Sequence, residues 1–589
     1  MTASVPTSLP WYRSTLIVAL VGSLFLWAAL PPLALGWLGW LAPVPWLLLV
    51  RGETLPGRRP YRSLYFAGFA FWLAAIHWLR LPHPLVYFGW LALSAYLACY
   101  LPVFVGLSRV AVHRLGVPLW LAAPVVWTGL ELARAHVMTG FMMGSLAHTQ
   151  VEWPAVIQIA DLFGEYSVDF LIVLVAAGVA QTALIGIEVR QGDKETRRPG
   201  DSSTISFSLS PPLLVSLSLL PAIVALAAAL AYGRLRLSVE GPPPDGLTVR
   251  LALIQGNNLA DWKQDPARQR QIMEEYLHLS NDAIAKARAQ GDGRPADLVV
   301  WPETMFRVPL MSFDPGYQLP VKASVTKEAL SAAAPRELAR LVAAIGTPVL
   351  VGIDRIHYLP SDSTAPDKQR FEAYNSAVLV DRKGQLVGTY DKVHLVVFGE
   401  YVPFARWLPF LKGLSSLTGS VEAGAGPVAL CVDGVCYAPN ICYETVMPHV
   451  IRRQMTTLHD AGTPADVLVN LTNDAWYWGS SELEQHLACG VFRAIETRRP
   501  LVIAANGGIS AWIDHLGRVR AQSPKQMPDV ILADVELNRT LSETFYMRTG
   551  DWFAGVCLAC CLALTIIGWK SRPFLNKTRR QGDTETRRG

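Results

Sequence analysis

Three short runs place reactive side chains just after apolar segments. Leu298-Val299-Val300-Trp301 leads into Pro302-Glu303-Thr304, residues 387–390 lead into Asp391-Lys392-Val393-His394, and residues 435–441 lead into Cys442-Tyr443-Glu444. Taken singly, each has a plain structural explanation: a glutamate capping a turn, a solvated lysine, a small buried cysteine. Together they make one chemistry. A thiol reacts as the thiolate, and a neighbouring cation such as Lys392 favours that form. Glu303 supplies a carboxylate that takes the thiol proton and returns it to a leaving group. Lys392 and the backbone N–H of Tyr443 offer donors to the oxyanion of a tetrahedral intermediate. Acyl transfer through a Cys442 thioester needs these parts and no metal or organic cofactor.

The elements that must bring these groups together follow from the pattern around them. From about residue 248 short apolar runs alternate with helical periodicity, which predicts an α/β fold. Candidate strands are 249–254, 298–301, 349–353, 376–380, 387–390, 428–432, 435–441, 467–471 and 501–505, and candidate helices include 265–289, 335–344 and 483–497. Reactive side chains in such sheets gather where strands end and loops begin.

The rest of the chain is of another kind. Of its 589 residues 51% are hydrophobic and only 17% charged, against about 25% charged in soluble proteins. Spanning a bilayer takes roughly 20 apolar residues, and eight stretches qualify: 14–31, 33–50, 64–80, 85–108, 117–133, 165–187, 212–233 and 552–569. The first follows Arg13 but has no small-residue cleavage site and runs straight into a second apolar stretch, so it reads as retained. Basic residues cluster in alternate loops: Arg51, Arg58, Arg59 and Arg62; Arg109 and Arg114; Arg190, Lys194, Arg197 and Arg198; and the tail from Lys570. The positive-inside rule then puts both termini in the cytoplasm and the domain before the last helix outside, which in a bacterium is the periplasm. The expected organisation is a helical bundle over 1–235 (about seven helices), a catalytic domain over 248–540, a C-terminal transmembrane helix over 551–570 and a cytoplasmic polar tail over 571–589.

The net charge of +5 lies largely in these loops and does not indicate nucleic acid, and the sequence has no zinc-type spacing and no phosphate-binding glycine loop. His148, His394 and His486 stand in unrelated contexts, which argues against a metal. Cys99, Cys557, Cys560 and Cys561 fall in apolar stretches, so the eight cysteines are no disulfide scaffold. Cys431 and Cys436 flank Val432-Asp433-Gly434-Val435, a two-residue hairpin signal; cross-strand neighbours there form either a disulfide or two free thiols. The near-repeats at 191–198 and 581–588 read as solvated polar segments.

Trp301-Pro302-Glu303-Thr304, Tyr390-Asp391-Lys392-Val393-His394-Leu395 and Ile441-Cys442-Tyr443-Glu444 resemble the three catalytic motifs of the nitrilase superfamily, in order. Their position between membrane helices resembles its membrane-embedded branch, the apolipoprotein N-acyltransferases. Gln255-Gly256-Asn257, Phe398-Gly399-Glu400-Tyr401, Asn473-Asp474-Ala475-Trp476, Gln485-His486, Thr139-Gly140-Phe141 and Leu162-Phe163-Gly164 extend the resemblance over nearly the whole chain. It implies an αββα sandwich and transfer of an acyl chain from a phospholipid, typically phosphatidylethanolamine, to the N-terminal amine of a diacylglyceryl-cysteine on an apolipoprotein, by a monomer. It further implies Glu303 as base, Lys392 as oxyanion stabiliser, Cys442 as nucleophile, Glu400 as support for the lysine, and Tyr443 and Glu444 as pocket residues. Val397, Met142-Met143 and Asn506-Gly507-Gly508 depart from the family pattern without removing a reacting group. Lipid substrates require an opening toward the bilayer; Phe404, Trp407 and Phe410 are the expected entrance, with Trp262 and Trp476 as further lipid contacts. Two other readings use the same residues differently: a membrane-tethered amidohydrolase with water as acceptor, and a non-catalytic binding or transport protein, which would need ionisable groups buried along its helices.

Overall fold

The computed structural model describes residues 14–84, 86–195, 211–239, 246–260, 265–290, 292–320, 324–360, 370–397, 399–401, 421–539 and 543–570. The chain divides into two units: one made of residues 1–77, 90–235 and 551–589, the other of residues 78–89 and 236–550. Residues 78–89, which follow one apolar helix in sequence and include the first residues of the next, belong to the second unit.

The first unit is helical. Its main helices are α1 (Thr15–Ala29), α2 (Pro43–Arg51), α3 (Pro60–Ala75), α4 (Val86–Leu97), α5 (Tyr100–Leu115), α6 (Leu119–His136), α7 (Tyr166–Glu195) and α8 (Pro211–Val239), followed at the other end of the chain by Trp552–Lys570. Among the described residues four spans are long and apolar enough to cross a membrane: Val86–Leu115, Tyr166–Ala183, Leu219–Ser238 and Trp552–Trp569. The expected stretch 33–50 is not one helix but a short 3-10 turn, Gly36–Trp40, and then α2. Pro43 and Pro45 lack the N–H that would carry one helix through the stretch, and Gly36 and Gly39 add little helix propensity before them. The 15 residues of α1 reach only about 22 Å at the helical rise.

Ionisable groups are buried in this unit, and each is tied to a neighbour. Arg134 binds Glu131 and donates to the carbonyls of Phe141 (2.8 Å) and Met143 (3.1 Å). Asp169 accepts from the Ser145 hydroxyl and the Ala147 N–H, and Asp161 accepts from the Tyr232 hydroxyl at 2.8 Å. These bonds hold the irregular backbone between α6 and α7, whose groups have no regular ladder and would be costly to bury unpaired. Backbone support of this kind accounts for Arg134 and Asp169 without a transport path.

The second unit contains, among the described residues, two six-stranded sheets. The first has the order β12-β1-β2-β3-β4-β5 and the second β11-β10-β9-β8-β7-β6. In chain order these are β1 (Thr248–Gln255), β2 (Leu298–Phe313), β3 (Val349–Tyr358), β4 (Phe371–Val380), β5 (Leu386–Asp391), β6 (Leu430–Val432), β7 (Val435–Ile441), β8 (Val467–Asn473), β9 (Leu501–Asn506), β10 (Ala511–Ile513), β11 (Val519–Gln522) and β12 (Asp529–Glu536). Helices α9 (Pro266–Ala289), α10 (Ala333–Ile345), α11 (Pro448–Asp460) and α12 (Glu482–Thr497) lie between them in sequence. Period-two alternation sorts the side chains. Val249, Leu251 and Leu253 of β1 join Tyr437, Val469 and Val502 in a core between the sheets. Ala252 and Ile254 point the other way, into a core with Tyr276 of α9 and Leu338 of α10. On the second sheet α12 lies against β9 and β10, where Gly490 faces Leu501, Ile503 and Ile513. The layers are therefore helix, sheet, sheet, helix.

Cys431 and Cys436 are cross-strand partners in the β6–β7 hairpin, 4.1 Å apart at Cα and joined as a disulfide. The turn between them uses positive φ at Asp433 (+49°) and Gly434 (+79°), the two-residue geometry that matches strand twist.

Candidate active site

Glu303 lies in β2 and Lys392 just after β5 of one sheet, and Cys442 just after β7 of the other. Glu303 corrects the expectation that its strand ends at Trp301: β2 continues to Phe313, and its register with β3 shifts between Trp301 and Phe306. The bulge re-aims Glu303, as bulges do next to sites, with Thr304 at φ +53°. Gly352 of β3 makes room for it, since a Cβ there would lie 2.4 Å from the Pro302 carbonyl oxygen and 2.6 Å from Glu303 Cα. Lys392 follows β5 directly and is pinned by its own N–H to Asn375 O at 2.8 Å. Cys442 follows β7 with φ +52°, a left-handed conformation that costs a non-glycine residue roughly 1–2 kcal/mol and is typical of functional positions.

Lys392 is the hub. Its Nζ lies 2.9 Å from Glu400 Oε1 and 3.9 Å from Glu303 Oε1, and the residue is 1% exposed. Glu303 is fixed at both oxygens: Asn375 Nδ2 donates to Oε1 at 2.6 Å and the Asn473 N–H to Oε2 at 2.9 Å. Glu400 Oε2 accepts the Val396 N–H at 2.9 Å. Glu444 is a fully buried brace: it accepts from the Val393, His394 and Ile441 N–H groups and from the Tyr390 hydroxyl, all within 2.7–2.9 Å. That carboxylate ties the turn after β5 to the turn after β7. Lysine and cysteine loops are thus set against each other by one side chain.

Electrostatics follow from burial. Burial works against the Lys392 ammonium, yet Glu400, Cys442 and Glu303 outweigh it and its pKa stands above the ordinary value. Burial raises the pKa of Glu303, while Lys392 opposes the rise. The Cys442 thiol is held well above its ordinary pKa by burial and by the Glu303 charge, against the pull of Lys392. Burial and the Glu303 charge thus both favour the neutral thiol at Cys442, and Lys392 favours the thiolate.

Several groups were not legible in the sequence. Asn375 is one: an amide in a strand carries no signal, and only the pairing Ser376↔Asp391 sets it beside Lys392. Asp391 itself turns away, bound by Arg355 and the Ser376 hydroxyl. Asp474, Glu482 and His486 are another: all buried, they bring ligand-type atoms within 4.8 Å of one another. His486 alone had given no reason to expect it. Trp476 lies in the turn after β8, partly buried. Trp262, Phe404, Trp407 and Phe410 lie outside the described residues.

Residues 22–178 match the family described as the apolipoprotein N-acyltransferase N-terminal domain, and residues 250–542 match the carbon-nitrogen hydrolase family. An apolipoprotein N-acyltransferase of Rhodopirellula baltica is 34% identical over 578 residues, covering 93% of this chain and 96% of that protein. The chain belongs to the apolipoprotein N-acyltransferase family. The Geobacter metallireducens apolipoprotein N-acyltransferase is similarly related, 33% identical with 95% of this chain and 96% of that protein covered. Among solved structures, an amidase from Nesterenkonia sp. AN1 is 18% identical, with a TM-score of 0.31, over 52% of this chain and 99% of the amidase. A CN-hydrolase superfamily protein from Xanthomonas campestris is 19% identical, with a TM-score of 0.32, over 49% of this chain and 91% of that protein. The apolipoprotein N-acyltransferase family gives the chain its fold, nitrilase-like sheets joined to apolar helices, and its activity, N-acylation of lipoproteins.

Proposed function

We propose that this chain transfers an acyl group from phosphatidylethanolamine to the α-amine of a diacylglyceryl-cysteine in two steps through a Cys442 thioester. In the first, Glu303 takes the thiol proton as Sγ attacks the ester carbonyl. The oxyanion meets the Lys392 ammonium and the Tyr443 N–H, and the proton passes from Glu303 to the departing lysophospholipid oxygen. In the second, the lipoprotein amine attacks the thioester, Glu303 removes its proton, and the thiol leaves with the amide formed. Glu400 holds Lys392 charged, and Glu444 holds its loop in place. The chain works as a monomer, with its catalytic domain in the periplasm and both termini in the cytoplasm, as the basic loops argue. Phe404, Trp407 and Phe410 form the lipid entrance, joined by Trp262 and Trp476.

One observation supports the reading above the rest: the Lys392 ammonium lies between two carboxylates, at 2.9 and 3.9 Å, in the family whose relatives carry the name acyltransferase. The test is purified protein incubated with phosphatidylethanolamine alone, followed by site-resolved mass spectrometry. An acyl adduct on Cys442, discharged by a diacylated lipopeptide with formation of the amide, is the expected result. Acyl transfer by Cys442→Ala at the native rate, or discharge only to water, would overturn the proposal.

A further inference from the structure

The carbonyl oxygen of Cys442 is held from the next strand: Asn470 Nδ2, on β8, donates to it at 3.2 Å. The same nitrogen donates to Asn440 Oδ1 at 2.8 Å, and the Thr445 hydroxyl donates to that oxygen as well. Asn440 and Asn470 are register partners on the parallel strands β7 and β8, so their side chains stand side by side on one face. Asn440, Thr445 and Asn470 are each no more than 1% exposed.

Two amides in a dry core are unfavourable unless their polar atoms are bonded. Among the described residues, Asn440 Nδ2 and Asn470 Oδ1 have no hydrogen-bond partner. The pair therefore leaves two polar atoms unsatisfied, a loss that apolar residues of the same shape would avoid. What it secures is an N–H directed at the Cys442 carbonyl. That carbonyl also decides which way the amides point. Turning both over would leave them bonded to each other, but would set Asn470 Oδ1 against the Cys442 oxygen, acceptor against acceptor. The consequence lies one atom further on. The bond from Cys442 to Tyr443 is trans. In a trans peptide the C=O and the following N–H share one plane and point in opposite directions. An amide that grips the Cys442 oxygen therefore fixes the direction of the Tyr443 N–H, the backbone donor proposed for the oxyanion. It does so at a residue with φ +52°, where the backbone is in a conformation that needs outside support.

We propose that Asn470, braced by Asn440, is a positioning residue of the reaction: it holds the Cys442–Tyr443 peptide plane so that the Tyr443 N–H meets the oxyanion in both half-reactions. This role rests on the Cys442 acyl-enzyme of the proposed function. Asn470 acts through the backbone of the nucleophile and transfers no proton.

The test compares two reactions of one sulfur. Iodoacetamide reacts with a thiolate by displacement at a saturated carbon and forms no oxyanion, whereas attack on an ester carbonyl does. Both rates are read at Cys442 by site-resolved mass spectrometry on the full-length protein in detergent: alkylation by iodoacetamide, and single-turnover acylation by phosphatidylethanolamine. Asn470→Leu should slow acylation at least about tenfold, toward the 10²–10³-fold of a lost oxyanion donor, and leave alkylation within about twofold of native. The thioester carbonyl of the trapped acyl-enzyme, isotope-labelled and followed by infrared difference spectroscopy, should move to higher wavenumber in the variant, because a hydrogen bond to the oxygen weakens the C=O bond. Unchanged acylation, equal slowing of the two reactions, or an unmoved carbonyl band would each overturn the proposal. Asn470→Ser, which suits a buried polar site but is too short to reach the carbonyl, serves the same purpose if the leucine variant does not fold. Failure of the Cys442 acyl-enzyme reading would appear separately, as native protein that is alkylated at Cys442 but gains no lipid adduct.

Discussion

Replacing Lys392 with methionine separates what this residue does for folding from what it does for chemistry. The side chain is 1% exposed and its Nζ lies 2.9 Å from Glu400 and 3.9 Å from Glu303. Removing one member of a buried ion pair while leaving the other costs about 3–5 kcal/mol. In a unit of this size that lowers the apparent unfolding midpoint by about 10 °C. The loss has a definite pH dependence. Burial already raises the Glu303 pKa, and Lys392 is the group that opposes the rise; without it the folded-state pKa climbs further. A folded-state pKa above the unfolded one favours the protonated folded form, so the destabilisation should shrink as pH falls through the Glu303 range and be largest at alkaline pH. The companion variant Lys392→Met/Glu400→Gln also removes the charge of the nearer carboxylate and should regain part of the stability, with Glu303 still unpaired. It should not regain turnover, because the oxyanion still lacks its cation, a loss of about 10²–10³ in rate. Thermal unfolding and lipopeptide acylation measured across pH 5–9 check both halves. Recovery of turnover in the double variant, or an unchanged midpoint in the single one, would refute the assignment of Lys392 as a paired, catalytically charged group.

Three further outcomes follow from the geometry. Glu303→Gln keeps the volume but cannot accept the thiol proton, so Cys442 acylation by phosphatidylethanolamine should fall about 10²–10⁴-fold, read as the single-turnover rate of adduct formation. Gly352→Ala sets a Cβ 2.4 Å from the Pro302 carbonyl oxygen and should displace the Glu303 bulge; a shift near 1 Å costs about 100-fold in turnover, with the unfolding midpoint showing how much of the loss is structural. Tyr390→Phe removes one of four donors to Glu444 and should cost about 1–3 kcal/mol of stability, seen in thermal unfolding, with acylation of the lipopeptide little changed.

Much of this site was readable before any coordinates. Glu303, Lys392 and Cys442 were found because each follows an apolar run, and because acid, base and thiol together have a chemistry that none has alone. The strand reading erred at Glu303, where β2 does not stop but bulges and continues to Phe313. A sheet can accommodate a proline such as Pro302 at a bulge, so the strand need not end there. The stretch 33–50 was misread for a related reason, since apolar composition was counted and the prolines at 43 and 45 were not.

Local sequence was sufficient for the composition of the two halves, for the residues proposed to react and for the alternation that sorts β1 into two cores, because these depend on residue type and on spacings of a few positions. Tertiary structure decided what stands beside what. Asn375 reaches Glu303 across 72 positions, Asn473 reaches it across 170, and Asp474 meets Glu482 and His486 only where the end of β8 turns into α12. Charge states in the site depend on those meetings, since the energy of a buried charge is set by the groups a few ångströms away and not by its neighbours along the chain.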